Sequence, residues 1–304
     1  TNVDVIFQIS STEPKYVNKI NIVGNTRTKD KVIRREIEFS EGDAFNSNLV
    51  NQTIKNIQRL DILNDVKIDQ YPLSENLVDI DLSVNEKPTG DFQVGVSAGT
   101  IKGATFITGL REKNIGGSGR TLNLSVNTST KNTEYLLNVM EPYILNKKLS
   151  LVYGFSYQEK DLSSSSSYKT NTSKANIGFN YDLSNNLYHA ISLNYELKDY
   201  TITNASNVAT SILNSAGNNV KIALNNTLTY NNLNSFLRPS SGNYISHFNS
   251  ISPSNNDKNG YIKNIITYKK YYSIKKKHIF SINSKIGNIS SYSGNTIMTD
   301  ENFS

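Results

Sequence analysis

Leu149-Ser150-Leu151-Val152-Tyr153-Gly154-Phe155-Ser156-Tyr157 places a large apolar side chain at every second position, with mostly small residues between. Successive side chains of an extended strand point to opposite faces, so this period of two describes a strand with one apolar and one small or polar face. The pattern continues outward in both directions. Phe92, Val94, Val96 and Ala98 alternate with Gln93, Gly95, Ser97 and Gly99, and Leu122, Leu124 and Val126 alternate with Asn123, Ser125 and Asn127. Ile177, Phe179 and Tyr181 repeat it, as do Ile191, Leu193, Tyr195 and Leu197. About eleven strands fit between Phe92 and Ser291, each near the roughly 9–11 residues that a membrane-crossing strand needs.

The chemistry of the two faces separates a membrane barrel from a sandwich. A soluble sandwich usually carries charge on its outer face and uses shorter strands. Here the polar face is mostly Ser, Asn, Thr and Gly, which suits a water-filled lumen. The apolar rows end in Tyr157, Tyr181 and Tyr195, which suit an aromatic girdle at the headgroups. The expectation is an antiparallel transmembrane β-barrel; a soluble β-rich adhesin or binding protein is the competing reading.

Composition agrees with a folded chain and narrows its chemistry. The 304 residues are 37% hydrophobic and include 18 Tyr and 11 Phe, more aromatic surface than disordered chains carry. No apolar run reaches the ~18 residues of a spanning helix, and Thr1-Asn2-Val3-Asp4 has no secretory signal pattern. Zero Cys excludes thiol catalysis, disulfides and cysteine metal sites. The net charge of +6 could suit nucleic acid or an anionic membrane surface, but spread over this length it decides nothing, and no nucleic-acid partner is expected.

Before the barrel the pattern is mixed. Ile20 and Ile22 alternate ahead of the Gly24-Asn25 turn, and Thr28 is a candidate cap for a helix from Lys29 to about Ile37. Glu41-Gly42-Asp43 closes that segment, and a second helix fits from about Ser47 to Leu60, with Val50, Ile54 and Ile57 on one face. Val66 and Ile68, then Val78, Ile80, Leu82 and Val84, give two strands. The order β-α-α-β-β is a small α+β module over 13–89, bounded by the turn-type cluster Lys87-Pro88-Thr89-Gly90. Val3 to Ile9, leading to Pro14, echoes Val78 to Val84, leading to Pro88, so residues 1–12 read as the last strand of a preceding copy.

Connection lengths orient the barrel of 90–304. On the side where the module leads in, 143–148, 184–187 and 273–277 are short, while 160–170, 200–219 and 252–259 on the other side are longer and rich in Ser and Asn. This is the short-periplasmic, long-extracellular habit of outer-membrane barrels, although 112–119 and 231–242 depart from it.

Several strings resemble BamA-like outer-membrane barrel-assembly proteins, in which periplasmic POTRA modules precede a sixteen-stranded barrel. In the module these are Ile20-Asn21-Ile22-Val23-Gly24-Asn25, Val32-Ile33-Arg34-Arg35-Glu36 and Glu41-Gly42-Asp43-Ala44-Phe45. In the barrel they are Gly109 to Asn114, Gly116-Gly117-Ser118-Gly119, Glu141-Pro142-Tyr143 and Arg238-Pro239-Ser240-Ser241-Gly242-Asn243-Tyr244. The resemblance implies a POTRA module followed by the N-terminal part of a barrel, with the Arg-Gly-Phe loop and terminal strand of the family not found before Ser304. It also implies a Gram-negative outer membrane with the module in the periplasm. The implied activity is folding and insertion of β-barrel proteins, with unfolded outer-membrane clients, accessory lipoproteins and outer-membrane lipid as partners. A two-partner-secretion pore is the other implied possibility.

Candidate sites follow from these readings. His189, His247 and His278 lack ligand-spaced partners, and Gly116 to Gly119 lacks the Lys-Ser/Thr of a phosphate loop, so no catalytic, metal or cofactor site is expected. Lys275, Lys276 and Lys277, near Tyr271 and Tyr272, read as a turn at headgroup level. In the resemblance, the first barrel strand, with Phe92, Val94, Gly95, Val96, Ser97 and Gly99, is a lateral gate that templates an incoming strand. Ile20 and Ile22 on the module's strand, with Arg34, Arg35 and Glu36 on its first helix, are expected to dock periplasmic partners.

Overall fold

The structure is a computed structural model describing residues 13–99, 103–235, 237–253, 260–274 and 278–292. The echo strand at 1–12 and the Lys275–Lys277 turn lie outside the described residues. The chain forms two compact units, one of 1–90 with 112–120 and one of 91–111 with the remainder.

The smaller unit begins with β1 (Tyr16–Val23), followed by α1 (Asp30–Arg34), α2 (Ser47–Arg59), β2 (Leu63–Pro72) and β3 (Leu77–Glu86). Its sheet order is β1-β3-β2, with β1 parallel and β2 antiparallel to β3. Val78, Ile80, Leu82 and Val84 are all buried on one face of the central strand, where Leu82 and Val84 pack with Val32 and Ile33 of α1 and Ile57 of α2, and Val78 and Ile80 pack with Phe39 and with Val50 of α2. α2 forms where expected because Asn46 caps it, its side chain accepting from the Asn48 N–H, and because its apolar residues recur at helical spacing.

α1 is shorter than its periodicity suggests. It stops at Arg34, and the Glu36 and Ile37 N–H groups close tighter three-residue turns onto Ile33 and Arg34. Thr28 is not its cap. The preceding residue is Lys29, with no capping side chain, because the Thr28 backbone is drawn to Glu86 instead. Gly24 takes φ +92° where a Cβ would lie 2.0 Å from the Val84 carbonyl oxygen, so glycine is required at this turn on both counts.

The larger unit is an antiparallel sheet of eleven strands in sequence order, the number read from the alternation. They are β4 (Gly90–Gly99), β5 (Gly103–Glu112), β6 (Thr121–Ser129), β7 (Asn132–Glu141), β8 (Leu149–Asp161), β9 (Tyr168–Ser184), β10 (Leu187–Ile202), β11 (Gly217–Asn231), β12 (Gly242–Ser252), β13 (Tyr261–Ile274) and β14 (His278–Ser291). Short helical turns occur only in connections, at Ile115–Gly117, Ser163–Ser166, Ala205–Asn207 and Thr210–Leu213. The sheet is open, with β4 and β14 at its ends, which is an incomplete barrel.

One face carries the expected apolar rows. The register sets Leu124 beside Leu137, Leu137 beside Phe155, and Ile177 between Tyr153 and Leu193. All of these side chains are exposed, an area of apolar surface that water would not tolerate and acyl chains would cover. The opposite face is polar and holds its own ion pairs, such as Lys174 Nζ to Glu196 Oε2 at 2.8 Å. Among the described residues no helix is long and apolar enough to cross a membrane. The strands do the crossing.

Candidate functional site

β4 ends the eleven-strand order, so one of its backbone edges has no strand neighbour among the described residues. Phe92, Val94 and Val96 project from one face, with Val96 78% exposed. Gly95, Ser97 and Gly99 alternate on the other, and space for a Cβ is open at Gly99 and meets only Ile107 at 3.9 Å at Gly95. Small residues leave little side-chain packing to hold this strand, and its N–H and C=O groups form a template for an extended segment. A shallow groove beside it is lined by Phe92 and Val94 of β4, Gly109 and Arg111 of β5, and Asn123 and Ser125 of β6.

In the module, the docking residues separate by burial. Ile20 is 5% exposed, and its N–H donates to Glu41 Oε1 at 3.0 Å, so its side chain builds the core and is not offered to a partner. Ile22 packs half-buried against the same core. Arg35 and Glu36 pair at 3.7 Å with their side chains largely covered. Arg34 is the one with substantial exposure; its Nε donates to Asp30 Oδ2 at 2.8 Å, which raises the guanidinium pKa.

The edge of β1 is also partly closed. The Val17 N–H donates to the Asp43 carbonyl and the Gly42 N–H to that of Val17, so the 42–45 segment occupies its first half. β2 is the longer edge, without a second strand neighbour among the described residues.

A feature that sequence reading missed is the clasp holding 112–120 within the smaller unit. Asn114 works in both directions, its Nδ2 donating to Thr28 Oγ1 at 2.9 Å and its Oδ1 accepting from the Gly119 N–H at 2.8 Å. The Lys29 N–H donates to the Gly117 carbonyl at 2.9 Å. Gly117 has φ +69°, and a Cβ there would lie 1.9 Å from the Arg27 carbonyl oxygen. Asp61 accepts from both Lys87 and Lys113, and hydrogen bonds from Lys113 and Lys87 hold its carboxyl down to about 2.

Glu86, at the end of β3, organises the loop beside this clasp. It accepts from the Thr28 N–H at 2.6 Å, the Arg27 N–H at 3.0 Å and Thr26 Oγ1 at 2.9 Å. Burial would raise this carboxyl, but those donors outweigh it and hold it down to about 2. The only sequence signal for the arrangement was the unusual length and glycine content of 112–119.

The three histidines sit in strands β10, β12 and β14. His189 contacts Tyr181 and Asn226, and His247 contacts Asn264. Among the described residues no three His, Asp or Glu side chains gather as a metal site would require.

Residues 114–304 match the family described as the Omp85 superfamily domain, and residues 15–87 match POTRA, described as a surface antigen variable number repeat. The outer membrane protein assembly factor BamA of Neisseria meningitidis serogroup B is 30% identical over 183 residues, covering 58% of this chain and 23% of that protein. That of Neorickettsia risticii is 25% identical over 241 residues, covering 79% of this chain and 32% of that protein. The crystal structure of BamA from Haemophilus ducreyi lacking POTRA domains 1–3 superposes with a TM-score of 0.77 at 23% identity, over 95% of this chain and 58% of that one, a likeness of fold. The chain thus spans a third or less of the length of these curated relatives. It is an outer-membrane protein whose POTRA module lies in the periplasm. A POTRA module running into an antiparallel sheet with one lipid-compatible face, matched over 114–304 by the superfamily domain, makes this chain a member of the Omp85 superfamily.

Proposed function

We propose that this protein is the central component of a machinery that folds and inserts β-barrel proteins into the outer membrane. It docks unfolded clients in the periplasm and templates their strands at β4. The observation that supports this reading is the terminal position of β4 in the sheet, with a backbone edge that has no strand neighbour among the described residues and a face where Gly95, Ser97 and Gly99 follow Gln93. Backbone pairing selects extended conformation more than sequence, which suits a factor serving many clients. Covalent catalysis plays no part; the work is that of a surface and an edge.

On the periplasmic side, β2 is the edge for an extended client and Arg34 the exposed charge for an accessory lipoprotein. Two variants of the whole protein test these roles separately. Val96→Pro removes a β4 backbone donor and restricts the local chain, disrupting pairing on whichever side that donor faces, and should depress client insertion. Arg34→Glu should lower recovery of periplasmic partners without altering insertion of the protein itself. Normal client insertion by Val96→Pro would remove β4 from the mechanism, and unchanged partner recovery would remove Arg34 from the interface.

A further inference from the structure

The apolar face of the large sheet is uninterrupted through the middle of β6 to β10 but is broken from β11 to β14. The register sets Phe179, Ile191, Asn226, Asn249, Asn264 and Asn288 side by side, one per strand. Asn249 Nδ2 donates to Asn264 Oδ1 at 2.9 Å, and Asn264 Nδ2 to Asn288 Oδ1 at 3.4 Å. At the other end of the row, Asn226 Oδ1 lies 2.6 Å from His189 Nε2, and His189 Nδ1 lies 2.6 Å from Tyr181 Oη. The result is a polar track on the lipid-compatible face. It starts near the periplasmic end of β9, passes mid-strand on β11 and finishes near the opposite ends of β13 and β14.

The rows on either side are mostly apolar: Leu224, Ile251 and Ile262 run along one flank and end at Ser290, and Leu228, Ile266 and Ile286 run along the other, where His247 lies between Leu228 and Ile266 and joins the track through Asn264 at 3.2 Å. On β11 and β13 the track therefore lies between apolar neighbours, inside the apolar band and not at its edge. Each asparagine amide offers two donors and an acceptor oxygen, and the bonds along the row use only part of that capacity. Hydrocarbon supplies no partner for the remainder, whereas water and phosphoester oxygens do. We propose that water and phospholipid headgroups reach along this track to a depth that acyl chains occupy against β6 to β8. Apart from His247 and Ser290, the flanking rows keep the character of the rest of the lipid-facing wall, which favours lipid over a protein partner. The track is strands away from β4 and is independent of the gating role proposed there.

The chain contains no cysteine, so single nitroxide labels can be introduced cleanly. Leu224→Cys beside the track and Phe155→Cys on the uninterrupted face are both mid-strand. The whole labelled protein, in vesicles of phosphatidylethanolamine and phosphatidylglycerol, is probed with a water-soluble nickel chelate and with oxygen. Nickel collisions should be several-fold more frequent at position 224 than at 155, and should fall to the 155 value when Asn226, Asn249 and Asn264 are all replaced by Leu. Equal, low nickel access at both positions would overturn the proposal, as would an excess that survives the triple replacement. Low access of both nickel and oxygen at 224 would overturn it in favour of a protein partner. Should the triple variant not insert, the comparison of 224 with 155 in the asparagine-bearing protein decides.

Discussion

Glu86 combines a nearly buried carboxylate, 7% exposed, with three donors from the 26–28 loop. Its pKa is near 2 in the folded protein against an ordinary 4.5, so folding favours the ionised form. The stability it contributes is present above the unfolded value and is lost as pH falls from about 4.5 towards 2. Glu86→Gln should cost about 1–3 kcal/mol at neutral pH, because an amide would turn a donor toward backbone N–H groups. It should also flatten the acid limb of the stability profile. With no native tryptophan in the chain, Tyr71→Trp on the exposed part of β2 can report urea unfolding of the module at each pH. The two faces of the sheet give a second residue-scale test. Leu124→Arg, on the apolar face, should cost about 2–4 kcal/mol of folding into bilayers, and Ser125→Arg clearly less. Equal penalties would point to a soluble sandwich.

At the scale of elements, the strands were legible and the contacts between distant segments were not. Alternation from Phe92 to Ser291 yields eleven strands because a two-faced strand writes its period into every residue. α2 was legible for the corresponding reason at helical spacing, with Asn46 as cap. α1 was misjudged because Thr28, a capping residue by type, has its N–H claimed by Glu86 and its hydroxyl by Asn114, partners far away in sequence. The burial of the Ile20 side chain was not legible for a similar reason: alternation shows that a side chain has a face but not which face the helices cover. The 112–120 clasp supplies the reason that this connection is longer than its neighbours. Gly117→Ala meets both a positive φ and the Arg27 carbonyl, and should loosen the clasp by about 2 kcal/mol or more. Gly116→Ala, with positive φ but open space, should cost about 1 kcal/mol. Hydrogen exchange at the Gly119 amide, which Asn114 holds, measures the difference; equal acceleration in both variants would mean that the close approach at Gly117 is unimportant.

At the scale of the whole molecule, a folded periplasmic module leads into a membrane sheet whose first strand keeps an edge without a strand neighbour among the described residues. The central claim is that this edge pairs with an incoming client strand. Cysteines at Ser97 in β4 or at Ser125 in β6, each combined with one on a client's terminal strand, compare the edge with an interior strand of the same sheet in an assembly assay with the whole protein. Crosslinks to the client should form at position 97 during insertion and not at position 125. Crosslinking at 125 alone, or normal client insertion with the β4 edge blocked, would contradict the templating role while leaving the fold intact.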